Sequence, residues 1–378
     1  MAALVPKIHR PVPDVRWENM HAFAVTGEGA DVTDVEVPTP EPGGHEVLLR
    51  VERSGVCHTD THLRQGFYDL GGRGSLRLAD RGMTYPLVMG HEVVGTVVRI
   101  GDQVTGHRPG DVRLVYPWIG CGECTECGHG RDNHCAAGRN LGVARHGGYA
   151  EYILVPDEKY LVGIQGLEPG WAATLACSGL TAFSAVHKVL PLPPDEPVVV
   201  IGAGGVGLTA IATLKALGHA AICAVDLSAE NLAVAAELGA TTTVVATHGA
   251  ASKDIVRACG GPVAAAIDFV NNGATATAAF DALRKNGQLV QVGLFGGELT
   301  VPTALMALKM ITIRGSFVGT PAELSALVDL ARRGALPHIP VIDAPLTADS
   351  VREALDRLAN GGVGGRIVLR AAGSPRGS

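Results

Sequence analysis

The sequence predicts an α/β protein in two parts: a partly closed antiparallel β-barrel and a doubly wound parallel sheet. Two observations carry this. From residue 20 to 178, short apolar runs are separated by Gly, Pro and Asp, the pattern of many closely spaced strands. From 179 to 321, strand-like and helix-like runs alternate, which implies parallel strands with helices on both faces. A chain of 378 residues is long enough to give each part its own core.

Taken in order, residues 1–19 carry Pro6, Pro11 and Pro13 among scattered charges and have no apolar segment. They read as an extension that wraps or dangles, not a signal peptide. Strands are expected at 20–25, 46–51, 93–98 and 112–116, the last preceded by turn chemistry at 106–111. Residues 67–85 break the pattern. Gly71, Gly72 and Gly74 alternate with Arg73, Arg77 and Arg81, and the stretch reads as one long loop. In the second part, strands at 198–201, 221–225, 242–245, 264–269, 288–292 and 311–315 alternate with helices at 206–217, 229–238 and 275–285. Helices at 322–333 and 350–360 and a strand at 366–369 finish the chain.

The most membrane-like run, 198–214, contains Gly202, Gly204, Gly205 and Gly207, so a strand-turn-helix explains it better than a membrane span. A formal net charge of −6 gives no electrostatic reason to expect nucleic acid or an anionic membrane as a partner. The expected location is the cytoplasm, where clustered cysteines read as metal ligands before disulfides.

Four cysteines, Cys121, Cys124, Cys127 and Cys135, lie close enough in sequence to close around one tetrahedral ion, leaving no open position for chemistry. A structural zinc is the expected occupant; the alternatives are an iron–sulfur cluster or unpaired core thiols. Cys223 sits in an apolar run and reads as a buried thiol, and Cys259 has no assigned role.

The turn Gly202-Ala203-Gly204-Gly205-Val206-Gly207 follows an apolar strand, opens a helix, and is followed by Asp226 at the end of the next strand. That context is what dinucleotide binding requires: glycines for close approach, a helix N-terminus for the pyrophosphate, and a carboxylate for the adenosine ribose. Asp226 repels a 2′-phosphate, and Leu227-Ser228 offers no base to bind one, which favours NAD over NADP.

A second set is dispersed: Cys57 in Gly55-Val-Cys57-His58-Thr59-Asp60, His91 in Gly90-His91-Glu92, and Cys177 in Cys177-Ser-Gly-Leu-Thr181. Two thiolates and an imidazole, if folding brings them together, make a three-ligand zinc site with its fourth position open. Together with the four-cysteine lobe and the glycine turn, these motifs make the chain resemble the zinc-dependent medium-chain alcohol dehydrogenases from about residue 20 to 370. Tyr68-Asp-Leu-Gly-Gly72, Leu78-Ala-Asp-Arg-Gly82 and Tyr116-Pro-Trp-Ile-Gly-Cys121 look most like the 6-hydroxyhexanoate dehydrogenase-like branch.

The resemblance implies a GroES-like catalytic domain over 20–178 and 322–378, and a Rossmann domain binding NAD over 179–321. It implies two zinc ions per chain and a tetramer or dimer formed through the cofactor domain. Cys57, His91 and Cys177 would hold the catalytic zinc. Glu92 would stand behind it as a transient ligand, and Asp60 would orient His91. Thr59 would contact the substrate oxygen and start a proton relay through the cofactor ribose to His62. His58 and Arg366 would meet the pyrophosphate, Thr181 the nicotinamide, and Val292 and Gly293 would lie along the cofactor. Trp118 and Leu294 would line the substrate pocket. Taken singly, His62 can also be read as a surface histidine, Glu92 as structural and Trp118 as a core aromatic.

The implied reaction is reversible oxidation of a primary alcohol to its aldehyde. An ω-hydroxy acid is one expected substrate, its carboxylate met by Arg73, Arg77 or Arg81; the other reading makes these arginines a solvated face or a subunit contact. Secondary or aromatic alcohols, and a nicotinoprotein with permanently held NAD, are the alternatives. A non-catalytic protein that kept the fold is a third reading, disfavoured by the complete ligand set.

Overall fold

The computed structural model describes residues 18–246, 252–361 and 363–375. Most of the extension read at 1–19 lies outside the described residues.

Two mainly antiparallel sheets form the first unit. One orders Leu161–Gly163, Val112–Val115, Glu92–Ile100, Val47–Gly55, Arg366–Arg370 and Val341–Pro345, with Tyr152–Val155 also pairing on Val47–Gly55. The other orders Val32–Pro38, Asn19–Val25 and Leu87–Val88. Val47–Gly55 is nearly all buried because neighbours cover it on both faces. The strand at the end of the chain, Arg366–Arg370, is laid between Val47–Gly55 and Val341–Pro345.

The second unit is a six-stranded sheet, all parallel, in the order Thr242–Val245, Ile222–Asp226, Val198–Ile201, Val263–Asp268, Leu283–Gln291, Thr312–Gly315. Its central strands are uninterrupted apolar runs, as Val198–Ile201 shows, because helices bury both faces. The strand order reverses beside Val198–Ile201, which opens a crevice at the carboxyl ends of the strands. The fold is thus the expected mixed α/β pair, a GroES-like barrel and a Rossmann sheet.

Several local details differ from expectation. The helix read at 275–285 runs Gly273–Ala282, capped by the Asn272 side chain, and Leu283 already begins a strand. The loop read at 67–85 contains a small hairpin, Phe67–Asp69 on Ser75–Arg77, and buries Leu78 and Met83. An unforeseen helix, Thr303–Lys309, buries none of its residues.

Between the units run helix Pro169–Thr174, a π-turn Leu175–Gly179 and helix Leu180–Val189. The wide π-turn carries Cys177, and such turns recur where a helix must aim a functional side chain.

Candidate active site

Three separate elements converge on one buried point. Cys57 caps helix His58–Gln65, and its N–H donates to Asp60 Oδ2 at 2.9 Å, a reciprocal cap that fixes the thiol at the helix entrance. His91 immediately precedes strand Glu92–Ile100. Gly90, at φ +86°, makes the bend that delivers it; a Cβ there would lie 2.4 Å from the Tyr149 ring. Cys177 comes from the π-turn. The two sulfurs and an imidazole nitrogen lie within 4.8 Å of one another, all buried.

The donor set fits a zinc ion. Cys57 Sγ and Cys177 Sγ are 3.8 Å apart, the separation that two bonds of about 2.3 Å make at a tetrahedral ion. Asp60 Oδ1 lies 3.4 Å from His91 Nδ1, on the side where a carboxylate favours a proton on Nδ1 and leaves Nε2 for a metal. Both ring nitrogens of His91 are buried without a hydrogen-bond partner, a costly state that a metal on Nε2 would relieve in part. Asp60 also accepts from Tyr149 Oη at 3.0 Å, a partner nothing in the sequence pattern marks. The Cys57–Cys177 contact draws the Cys57 thiol well below its ordinary value and pushes Cys177 up. Burial works against a charged His91, but Asp60 and the Cys57 sulfur outweigh it and raise the imidazole.

Glu92 is adjacent but turned elsewhere. Its Oε2 accepts from Arg366 Nη2 at 2.6 Å and its Oε1 from the Ser178 N–H at 3.0 Å. Burial, partly offset by Arg366, raises its carboxyl to about 6.

The four-cysteine lobe gathers a second donor set. Cys121, Cys124, Cys127 and Cys135 place their sulfurs within 4.8 Å of one another, with separations of 3.5, 3.7 and 4.0 Å in three of the pairs. These bracket the sulfur spacing around one zinc and are far too long for disulfides.

The glycine turn lies at the crevice. A Cβ on Gly207 would sit 1.7 Å from the Gly202 carbonyl oxygen, so only glycine lets helix Gly205–Ala216 pack against the strand end. A Cβ on Gly204 would meet nothing within 4 Å, leaving open space before the helix N-terminus for an anionic ligand. Asp226 Oδ2 accepts from the Ala203 N–H at 2.6 Å and Oδ1 from the Ser228 N–H at 2.8 Å. Arg366, from the first unit, lies against Gly205: a Cβ there would be 2.3 Å from Arg366 Cδ.

Thr59 Oγ1 is 3.8 Å from Cys57 Sγ. His62, one turn further along the helix, packs on Tyr68 with ring centroids 4.9 Å apart and lies 5.5 Å from His58. Burial, then the neighbouring His58, lowers His62 to about 4. Phe295, absent from the sequence reading, packs on His58 at 4.5 Å. Trp118 is buried 5.2 Å from the His91 ring. Thr181, on helix Leu180–Val189, and Val292 are half-buried, and Leu294 is exposed. The Val292 and Gly293 N–H groups both donate to the Asp268 carbonyl, at 3.0 and 3.1 Å. Of the loop arginines, Arg77 pairs with Glu28 at 2.5 Å, whereas Arg73 reaches a cleft of about 860 Å³ with Tyr68, Asp69, Asn271, Leu294 and Glu298.

Comparison with known proteins gives two separate matches. Residues 43–165 match the alcohol dehydrogenase GroES-like domain, and 205–333 match the zinc-binding dehydrogenase family. An NAD-dependent alcohol dehydrogenase of Sulfurisphaera tokodaii is 36% identical over 353 residues, 93% of this chain and 99% of the relative. The alcohol dehydrogenase of Aeropyrum pernix superposes with a TM-score of 0.83 at 31% identity, covering 93% of this chain and 99% of that one. Acetophenone reductase of Geotrichum candidum, solved with NAD, superposes at 0.80 with 29% identity, covering 93% and 97%.

Proposed function

The chain belongs to the zinc-dependent medium-chain alcohol dehydrogenases and is an NAD-dependent alcohol dehydrogenase; from that premise we propose which residues carry the reaction. Cys57, His91 and Cys177 hold the catalytic zinc, and Cys121, Cys124, Cys127 and Cys135 hold a second, structural one. The observation that carries this assignment is the buried meeting of two thiols with an unpartnered imidazole nitrogen. When bound, the zinc supplies Lewis-acid polarisation of the alcohol oxygen and NAD accepts the hydride.

The chain's own residues do the rest. Asp60 fixes the His91 tautomer. Thr59 takes the hydroxyl proton, and His62, three residues on along the same helix face, passes it outward. With its pKa near 4 the His62 ring is neutral, though a weaker acceptor than a free imidazole, so it hands the proton on to solvent and does not hold it. Glu92, tied to Arg366 and Ser178, must leave Arg366 to act as a transient ligand. Gly202, Gly204, Gly205, Val206 and Gly207 receive the pyrophosphate with His58 and Arg366. Asp226 takes the adenosine ribose, and Thr181, Val292 and Gly293 flank the nicotinamide. Residues 20–178 with 322–378 form the catalytic domain around a cofactor domain at 179–321.

The substrate is a primary alcohol or its aldehyde, received beside Trp118 and Leu294. An ω-hydroxy acid is read through Arg73, the loop arginine that lines the cleft; Asp69 and Glu298 beside it favour a neutral alcohol. Initial rates of NADH formation with 1-hexanol and 6-hydroxyhexanoate decide. A higher kcat/KM for the hydroxy acid, lost in Arg73→Ala, supports the carboxylate reading; a clear preference for hexanol removes it.

Two further readings complete the proposal. A dimer or tetramer forms through the cofactor domain, supported by the outer edge of Thr312–Gly315, which no described strand pairs, and by exposed Leu308 and Met310. A cytoplasmic location fits eight cysteines without a disulfide. No helix among the described residues is long and apolar enough to cross a membrane.

A further inference from the structure

The segment that follows the last parallel strand is held from two sides by the catalytic unit. Asn133 Nδ2 donates to the Phe317 carbonyl oxygen at 3.0 Å. Tyr116 Oη, fully buried, donates to the Gly319 carbonyl oxygen at 2.8 Å. Between these anchors Val318 has φ +44°, a left-handed conformation that a β-branched residue adopts only when its surroundings impose it. The two anchors flank it, the Ser316 N–H is tied to the Gln291 carbonyl at 2.9 Å, and the Val318 side chain is buried in the core.

The imposed conformation has a direct effect on a ring. Phe317, half exposed, meets Trp118 edge-on with centroids 5.6 Å apart. The indole Nε1 of Trp118 donates to the Ala176 carbonyl at 3.3 Å, one residue before Cys177, and the ring stands 5.2 Å from that of His91. Phe317 is therefore two aromatic contacts from the proposed metal. Asn133 lies on the cysteine lobe, two residues before Cys135. Its neighbour Asp132 is itself fixed, accepting from Tyr160 Oη at 2.6 Å. The lobe thus gives Asn133 a rigid base.

We infer that Asn133 is a positioning residue for substrate selection: from the four-cysteine lobe it holds the Phe317 backbone so that the Phe317 ring closes on Trp118 and limits the bulk of the alcohol admitted. This rests on the zinc dehydrogenase reading above. It gives the lobe a second role, setting the pocket wall as well as stapling a loop.

The test compares kcat/KM for 1-hexanol with that for cyclohexylmethanol, a bulkier primary alcohol. In Asn133→Ala the preference for hexanol narrows by between about two- and tenfold, the worth of one neutral hydrogen bond, and the change falls in KM. Phe317→Ala narrows it too, and adding Asn133→Ala to Phe317→Ala changes little more, because both act through one ring. Near-UV circular dichroism of Asn133→Ala shows a weakened aromatic band. An unchanged preference in Asn133→Ala with wild-type zinc content overturns the inference, as does full additivity in the double variant. If Asn133→Ala loses zinc, Tyr116→Phe, which removes the other anchor, is judged by the same criteria. A wild type inert toward every alcohol would sink the parent reading, and an unchanged near-UV spectrum in Asn133→Ala would then sink the clamp separately.

Discussion

Arg366 and Glu92 form a buried ion pair, with Nη2 2.6 Å from Oε2, that joins the last strand of the chain to the strand behind His91. Removing one partner strands the other charge in a dry site. Arg366→Leu should cost about 3–5 kcal/mol by chemical denaturation, and the double variant with Glu92→Leu much less than the sum of the two singles. Additive losses would mean that the two groups act independently.

The two donor sets predict separable metal losses. Cys57→Ala should lower zinc from two ions per chain to one and abolish turnover, while NADH still binds. Cys121→Ser should also leave one ion, but show itself as a lower Tm. Asp60→Asn, which keeps the cap but weakens the pull on His91 Nδ1, should reduce affinity for the catalytic zinc about 10- to 100-fold in a chelator competition. Loss of NADH binding in Cys57→Ala would point to misfolding.

His62 sets a pH signature. Burial and the adjacent His58 hold its pKa near 4, so the ring is a neutral proton acceptor above that value and loses this role as pH falls through it. The acid limb of kcat due to His62 should therefore lie well below the pH of ~6.5 typical of a free imidazole. His62→Gln should lower kcat by about 100-fold near pH 6, with the deficit shrinking as pH rises and hydroxide takes over the acceptor role. A deficit constant across pH would remove His62 from the relay.

The proposed contact of Asp226 with the adenosine ribose predicts a cofactor preference. Its carboxylate already accepts from Ala203 and Ser228 N–H groups, so it is held rigidly at the strand end. Asp226→Asn keeps an acceptor but removes the charge, and should reduce the preference for NAD over NADP by roughly tenfold or more, read from kcat/KM for each. An unchanged preference would place discrimination elsewhere.

Legibility in the sequence followed the range of each signal. Val198–Ile201 and helix Ala229–Leu238 were readable to the residue because burial on both faces, or a local cap at Ser228, leaves its mark in adjacent positions. Helix Thr303–Lys309 was missed because its apolar run, Ala304 to Leu308, is short and unbroken, with Leu305 and Met306 only partly buried against the core, so no helical period stands out. The helix before Leu283 was overrun because Arg284 and Lys285 resemble a basic last turn. At the site, the cysteines and His91 declared themselves by chemistry. Tyr149, Phe295 and Phe317 did not, because what they contribute is contact with residues distant in sequence, and no local spacing encodes that.

Strand Arg366–Arg370 carries a consequence for synthesis. It lies inside its sheet, between Val47–Gly55 and Val341–Pro345, and brings the partner of Glu92. While the chain emerges from the ribosome, the parallel-sheet unit has all its strands by Gly315, but the ligand-bearing barrel waits for the final strand. The unit begun first is therefore completed last, and until Arg366 arrives the Glu92 carboxylate is better left in water than buried unpaired.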